Sequence, residues 1–507
     1  MHTYWRKDNT LQSLKEFWTA VRLRATPLII IESHDEIATY KNILEYSNES
    51  GIVPVWSWDC ARGYQASNEL ADGFDQPLTE CVQVEDALLE LDKLERIPTR
   101  SVVVCHWRNE YWQSPQARQA LINLRERFKR KMQACVLIVG FGSEIPSDVR
   151  VHVLSHQEAL PDQCELGEIA EKATESARSI DQSIPHLEGQ HKERVTAILK
   201  GMSAFQAEQQ AFMALRREVG IDSNILQQSK IELINSTPGL TCWQGGETFQ
   251  QVIGLAGIQT YLERLVNGRT PVRLVMWVDE VEKAMAGADG DTSGISQDYM
   301  GTLLSHLQDT RARGILLFGQ PGTGKSLVAK ATGSLAECLT IRLDLGACKS
   351  SLVGESEARL RKALAIEQAI SELESTLWLF TCNGVKNLPS ELRSRFRKEY
   401  FYDFPGLQAQ QALWQFYIER FELDESIPTL QALWTGREIE RACREAWELN
   451  IPLKDAMDGI IPVAVAGWEA ALNRRKEAHL RYLDAQQLGV YRMPSDSEQG
   501  RMMAFNN

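Results

Sequence analysis

No apolar run in this chain approaches the roughly 20 residues that a membrane-spanning helix needs. The longest candidates, such as VVVC, VLIVGFG and IIPVAVAGW, have the length of a core strand or a buried helix. The opening residues, MHTYWRKDNTLQ, hold no hydrophobic signal core. Ten cysteines are scattered with no C-x-x-C pair and no Cys/His cluster at zinc spacing, which argues against a zinc site. They read as reduced thiols of a cytoplasmic protein. A basic excess is also lacking. The chain has 55 Lys and Arg against 68 Asp and Glu, a formal net charge of −13, so the broad positive footprint of a dedicated nucleic-acid binder is missing. There is no internal repeat of solenoid length.

What remains is ordinary globular composition, 43% hydrophobic and 24% charged, over 507 residues. That length suggests about three to four domains. Residues 1–148 open with an amphipathic helix, LQSLKEFWTAVRLR. Strands follow at 27–31, 53–58, 101–105 and 135–140, with helices between them such as 114–131. This alternation predicts an α/β domain with a parallel sheet covered on both faces. The first strand is followed by ESHDE and the third by HWRNE, which supply neither a glycine cradle nor an acidic pair. The domain is therefore expected to have no nucleotide chemistry of its own. Residues 149–240 read as a helical domain ending in TPGLTCWQGGET, where Pro238, Gly239, Gly245 and Gly246 mark a linker. The chemistry lies in residues 241–405. Residues 406–475 are helical again, and 476–507 hold a C-terminal helix and a polar, frayed tail.

Residues 314–326 read GILLFGQPGTGKS. A short apolar strand, 315–318, runs into G-x-x-x-x-G-K-[ST], and a helix begins at once. Glycines in such a loop let backbone N–H groups turn toward phosphates, and the helix N-terminus adds its positive end. The nucleotide-binding candidates are Gly319, Pro321, Gly322, Thr323, Gly324, Lys325, Ser326 and Leu327. Lys325 would reach the β- and γ-phosphates of ATP, and Ser326 would bind Mg²⁺.

A hydrolysing P-loop enzyme also needs an Asp for the magnesium shell and usually a Glu to activate water, at the end of a neighbouring strand. Downstream strands at 339–345 and 376–381 bring no acidic pair. Upstream, LVMWVDE at 274–280 does: Asp279 joins Ser326 as a metal candidate and Glu280 becomes the catalytic base. This predicts a permuted chain order within a five-stranded sheet ordered 5-1-4-3-2. The acidic strand still sits one strand away from the P-loop strand, so the links need shift by only one strand spacing of about 5 Å. Asn383, ending LWLFTCN, would then lie between the two and hold water or γ-phosphate. SELRSRFRKEYFYDFP supplies Arg393, Arg395 and Arg397, any of which could stabilise charge at a neighbouring subunit's γ-phosphate.

The combination of GQPGTGKS, VDE, TCN and ELRSRF resembles the AAA+ ATPases. Over nearly the whole chain, segments such as PLIIIESHDE, GMSAFQAEQQAF, DTSGISQDYMGTLLSHLQ and LVGESEARLRKAL are similar to a plastid and cyanobacterial branch, the conserved hypothetical chloroplast reading frame forty-six. The resemblance implies a degenerate ATPase-like N-terminal domain, a AAA+ core, a helical lid and a homo-hexameric ring. Arg393 and Arg395 fall on the two positions of a finger acting in trans, although one residue is missing between them. Ile253 and Gly254 fall on the adenine-side loop, and Gly436 and Arg437 on the nucleotide-sensing position of the lid. Leu352 and Val353 match a central-pore loop. The departure is the order: family members place the acidic strand after the P-loop, which points to a circular permutation confined to the core. The leading expectation is a Mg²⁺-dependent ATPase that remodels a protein partner, recruited directly or by an adaptor through the N-terminal domain. A nucleic-acid motor or loader is disfavoured by the pore-loop text KSSLVGESE. A nucleotide-gated scaffold is disfavoured by the intact Glu280. A third alternative makes the N-terminal domain the effector, with WSWD and HWRNEYW as its docking surface, but aromatics in such segments read first as core.

Overall fold

The computed structural model describes residues 14–24, 26–49, 53–71, 81–93, 98–285, 295–348, 355–371, 374–386, 388–429 and 433–494. The chain divides into two compact units, residues 1–230 and 231–507.

In the first unit, runs rich in β-branched residues form strands buried on both faces. They are β1 (Leu28–Ser33), β2 (Val55–Asp59), β4 (Val102–His106) and β5 (Ala134–Gly140). β3 (Gly63–Ala66) turns back antiparallel on β2, and β6 (Leu154–Gln157) lies parallel to β1. The sheet order is β3-β2-β4-β5-β1-β6. Alternate residues feed two cores: Leu28, Ile30, Val103 and Leu137 face one way, Ile29, Ile31, Val104 and Ile138 the other. The helix Pro115–Arg130 starts where the Ser114 side chain accepts the Ala117 N–H, and it places Arg127, Lys129 and Arg130 in its last turn. Both features favour a helix of this polarity.

One expectation for this unit needs correction. The strand β6 extends the sheet past residue 148, into a stretch read as helical. It escaped notice because His156 is its only buried residue, so no apolar run announces it. The aromatics of WSWD and HWRNEYW are core, as expected, and not a docking surface: Trp56, Trp58, Trp107 and Trp112 are buried. Beyond β6 the unit continues in the helices Gln163–Ile180, Gly189–Leu199 and Ala204–Met213 and a small hairpin of β7 (Leu215–Arg216) and β8 (Gly220–Ile221).

The second unit is built on seven strands: β9 (Leu240–Trp243), β10 (Leu274–Val278), β11 (Arg313–Gly319), β12 (Leu339–Leu343), β13 (Thr376–Cys382), β14 (Phe396–Tyr402) and β15 (Leu483–Asp484). Their order is β15-β14-β11-β13-β10-β12-β9, parallel throughout except for β9. Here too the faces alternate. Met276, Leu316 and Phe380 face the helices Ile295–Asp309 and Glu355–Ile370, while Val275, Leu317 and Leu379 face Ala256–Val266 and Lys325–Leu335. The stretch read as a linker contains β9, which pairs antiparallel with β12 through Leu240↔Leu343 and Trp243↔Thr340. Its proline and glycine punctuation hid a four-residue edge strand. A separate core around Trp414, Trp434, Ile439 and Cys443 holds the helices Leu407–Arg420, Gly436–Leu449 and Leu453–Asp458. The helix Trp468–Ala478 crosses the boundary drawn at 475, and β15 then rejoins the sheet edge beside β14. The far tail, residues 495–507, lies outside the described residues.

Candidate nucleotide site

β11 ends in Gly319, and the helix Lys325–Leu335 starts six residues later with Gly324 as its N-cap. Gly324 has φ +91, the left-handed region a side chain resists, and this turn aims the first helical N–H groups back across the loop. The Lys325 ammonium is almost fully buried and bonds two loop carbonyls, Gly319 O at 3.1 Å and Gln320 O at 2.7 Å. Burial lowers its pKa to about 7, with the nearby Cys382 and Glu282 acting in the opposite direction.

β10 places its acids one strand beyond β13. The Ser326 hydroxyl donates to Asp279 Oδ1 at 3.0 Å, so the two metal candidates meet across 47 residues of chain. Asp279 Oδ1 also accepts the Thr381 hydroxyl at 2.6 Å, and the Glu280 N–H donates to Thr381 Oγ1 at 2.9 Å. Glu280 itself has φ +48. Its carboxylate accepts Asn383 Nδ2 at 3.3 Å and pairs with Lys283. The Asn383 backbone N–H donates to Glu282 Oε1 at 3.0 Å, and its carbonyl accepts Arg474 Nε at 2.7 Å. Arg474 also donates to Gln320 Oε1 at 3.0 Å, so one guanidinium from the helix Trp468–Ala478 ties the P-loop to the end of β13. Burial lowers the Arg474 pKa.

Asp279, Glu280, Lys325, Ser326, Thr381 and Asn383 line one cleft of about 600 Å³, which also takes in Gly245, Glu247, Ile253, Gly254, Tyr417, Arg420, Gly436 and Arg437. Gly254 is tight against the helix Leu407–Arg420: a Cβ there would stand 2.5 Å from that of Ala409. The Arg437 N–H donates to Gly322 O at 3.3 Å, so the helix Gly436–Leu449 begins on the P-loop. Thr435 caps it, with Glu438 closing the reciprocal bond.

The structure thus brings together Gly322, Thr323, Gly324, Lys325, Ser326, Leu327, Pro321, Asp279, Glu280, Asn383, Ile253, Gly254, Gly436 and Arg437 around the cleft. Gly319 stands directly behind, bonded to Lys325. Arg393 and Arg395 do not line the cleft. Arg393 bonds Glu399 and the Tyr482 hydroxyl, which holds its pKa up, and Arg395 bonds Gln308. Leu352 and Val353 lie outside the described residues. Sequence reasoning missed Gln320, Thr381, Glu282 and Arg474. Gln320 and Thr381 stood inside the quoted GQPGTGKS and LWLFTCN as polar residues beside the expected ones, and Glu282 lies two residues past VDE. Arg474 comes from 91 residues beyond Asn383, and no local pattern marks it.

The donor set fits Mg²⁺ and a polyphosphate: a hard carboxylate and a hydroxyl meet at one point, and a buried lysine beside an open glycine turn bonds only carbonyls among its hydrogen-bond partners. In the first unit the corresponding turn after β1 is occupied by the chain's own acid. Asp35 Oδ1 caps the helix Glu36–Glu49 through the Ala38 N–H, and Asp35 Oδ2 accepts the Phe205 N–H at 3.2 Å. Glu158, its pKa raised by burial, bonds Thr39 one turn further on.

A strand-P-loop-helix facing an acidic strand defines a nucleotide-binding class, and comparison with known families gives that class a name. Residues 315–373 match the model of the "ATPase family associated with various cellular activities (AAA)", and residues 11–156 match that of the "SpoVK-like AAA ATPase, N-terminal domain". Over most of its length the chain is similar to proteins called "Uncharacterized AAA domain-containing protein ycf46". The one from Trieres chinensis is 22% identical over 473 residues, covering 83% of this chain and 86% of that protein. The one from Guillardia theta is 21% identical over 506 residues, covering 88% and 89%. This similarity over most of the chain agrees with the resemblance its motifs carry. The protein "Spastin" from Rattus norvegicus is 30% identical over 105 residues, 19% of this chain and 17% of that protein. Among the described residues no helix is long and apolar enough to cross a membrane.

Proposed function

We propose that the second unit is a Mg²⁺-dependent ATPase. The observation that carries this reading is the meeting of Ser326 and Asp279 at 3.0 Å, with Glu280 and Asn383 beside them on the cleft. Thr323, Gly324 and Lys325 hold phosphate, and Ser326 and Asp279 hold Mg²⁺, which when bound neutralises charge on the phosphates. Glu280 takes the proton of the attacking water, and Asn383 orients that water through its amide. Gly319, Pro321, Gly322 and Leu327 complete the loop around the phosphates, Ile253 and Gly254 shape the adenine side, and Gly436 and Arg437 report nucleotide to the lid.

Within this reading, the arrangement β14-β11-β13-β10-β12 is a 5-1-4-3-2 sheet in which the acidic strand has been transposed ahead of the P-loop strand, a circular permutation confined to the core. Support comes from the first unit, whose parallel strands run β6-β1-β5-β4-β2, the same layout in ordinary chain order.

Arg393 and Arg395 stand off their own cleft, which suits a finger supplied to a neighbouring copy in a homo-hexameric ring. The ring would remodel a protein partner gathered by the N-terminal unit. The test is ATP turnover of the wild type beside Glu280→Gln, with light scattering in ATP. Turnover in the wild type, and assembly without turnover in the variant, are expected. Equal turnover in both would overturn the assignment of Glu280.

A further inference from the structure

We propose that Thr381 is the positioning residue of the acid pair: its buried hydroxyl, shared between Asp279 and Glu280, sets the grip of Asp279 on Mg²⁺ and the aim of Glu280. The inference rests on the ATPase reading above. β13 lies between β10 and β11, and Thr381 stands opposite Leu317 at its C-terminal end. By strand alternation it shares a face with Leu377 and Leu379, both core residues packed toward the helix Lys325–Leu335. A hydroxyl at 1% exposure on such a face costs stability unless both its donor and acceptor capacities are used. Here they are. The O–H donates to Asp279 Oδ1 and the oxygen accepts the Glu280 N–H.

Those two bonds do different things. Asp279 Oδ1 receives the hydroxyls of both Thr381 and Ser326, so the carboxylate's rotation is fixed from the two flanking elements before any metal arrives. The second bond fixes a peptide. Glu280 is held at φ +48, a conformation a non-glycine residue adopts only when its surroundings impose it. The peptide N–H at that bend is bonded to Thr381, and the bend turns the Glu280 carboxylate toward Asn383 Nδ2. Without the hydroxyl, the N–H is left unpaired and the bend loses its support.

The test uses the full chain and the non-hydrolysable analogue adenylyl imidodiphosphate, with affinity measured by calorimetry in Mg²⁺ and in EDTA. The wild type should bind the analogue more tightly with Mg²⁺. Thr381→Val, nearly isosteric but without a hydroxyl, should lose at least about tenfold of that metal-dependent gain, the scale of a lost charge-assisted hydrogen bond. Its affinity in EDTA should stay within about twofold, because the P-loop contacts are untouched. Thr381→Ser should keep the gain. ATP turnover in Mg²⁺ should fall in kcat/KM for Val, with KM raised in step with the weaker metal-dependent binding, and recover in Ser. A Val variant with the wild-type metal dependence overturns the inference and leaves the ATPase reading standing. A Ser variant as impaired as Val overturns it too, since the hydroxyl would then not be the cause. A wild type that binds no analogue, or binds it without regard to Mg²⁺, removes the ATPase reading itself. If Thr381→Val does not fold, Thr381→Ala is judged by the same criteria.

Discussion

Lys325 shows how one residue can carry both stability and ligand response. Its ordinary pKa is 10.5, and burial brings it to about 7. Between those values the unfolded chain keeps the proton and the folded chain gives it up, so the unfolded state binds more protons and stability of the nucleotide-free protein rises with pH. Bound polyphosphate favours the ammonium and pushes the pKa back up. At pH 8, binding of adenylyl imidodiphosphate should therefore draw about one proton from solution. Calorimetry in two buffers of different ionisation enthalpy should show this in the wild type and not in Lys325→Met. Equal buffer dependence in the two proteins would assign the proton to another group. That Lys325, Ser326, Asp279 and Glu280 would lie together was legible in the sequence, because glycines and an apolar strand ending in acids leave local marks. Thr381 and Arg474 were not. Their roles depend on partners 102 and 91 residues away, and nothing in their immediate neighbours distinguishes them from a core threonine and a surface arginine.

At the scale of the element, the helix Trp468–Ala478 carries adjacent arginines with separate tasks. Arg474 spans the P-loop and the end of β13. Arg475 is 1% exposed and bonds Asp403 at 2.8 Å, between the rings of Phe404 and Trp468, while Tyr491 donates to the other Asp403 oxygen. Arg475→Met should cost about 3–5 kcal/mol in urea unfolding, because it strands a buried carboxylate. Adding Asp403→Asn should return part of that loss, and purely additive effects would mean the pair is not coupled. The long strands and helices of the fold were readable from their apolar periodicity. The short edge strands β6, β9 and β15 were not, since each is held by pairing to a neighbour rather than by its own residues.

In the whole molecule, the two large sheets have opposite fates at the turn that could receive phosphate. In the first unit that turn is filled by Asp35, and the unit has its own cores on both sheet faces. Residues 1–222 expressed alone should unfold in a single cooperative denaturant transition and bind no adenylyl imidodiphosphate. A non-cooperative transition, or measurable binding, would contradict that expectation. The order of the second sheet bears on how the protein is made. β10 and β11 follow one another in the chain, yet they are not neighbours: the strand that joins them, β13, is synthesised about 60 residues after the P-loop strand and pairs with both. Until residues 376–382 are made, β10 and β11 each lack the strand that joins them in the finished sheet. The strand that completes the link is also the one that carries Thr381 and Asn383 to the acids.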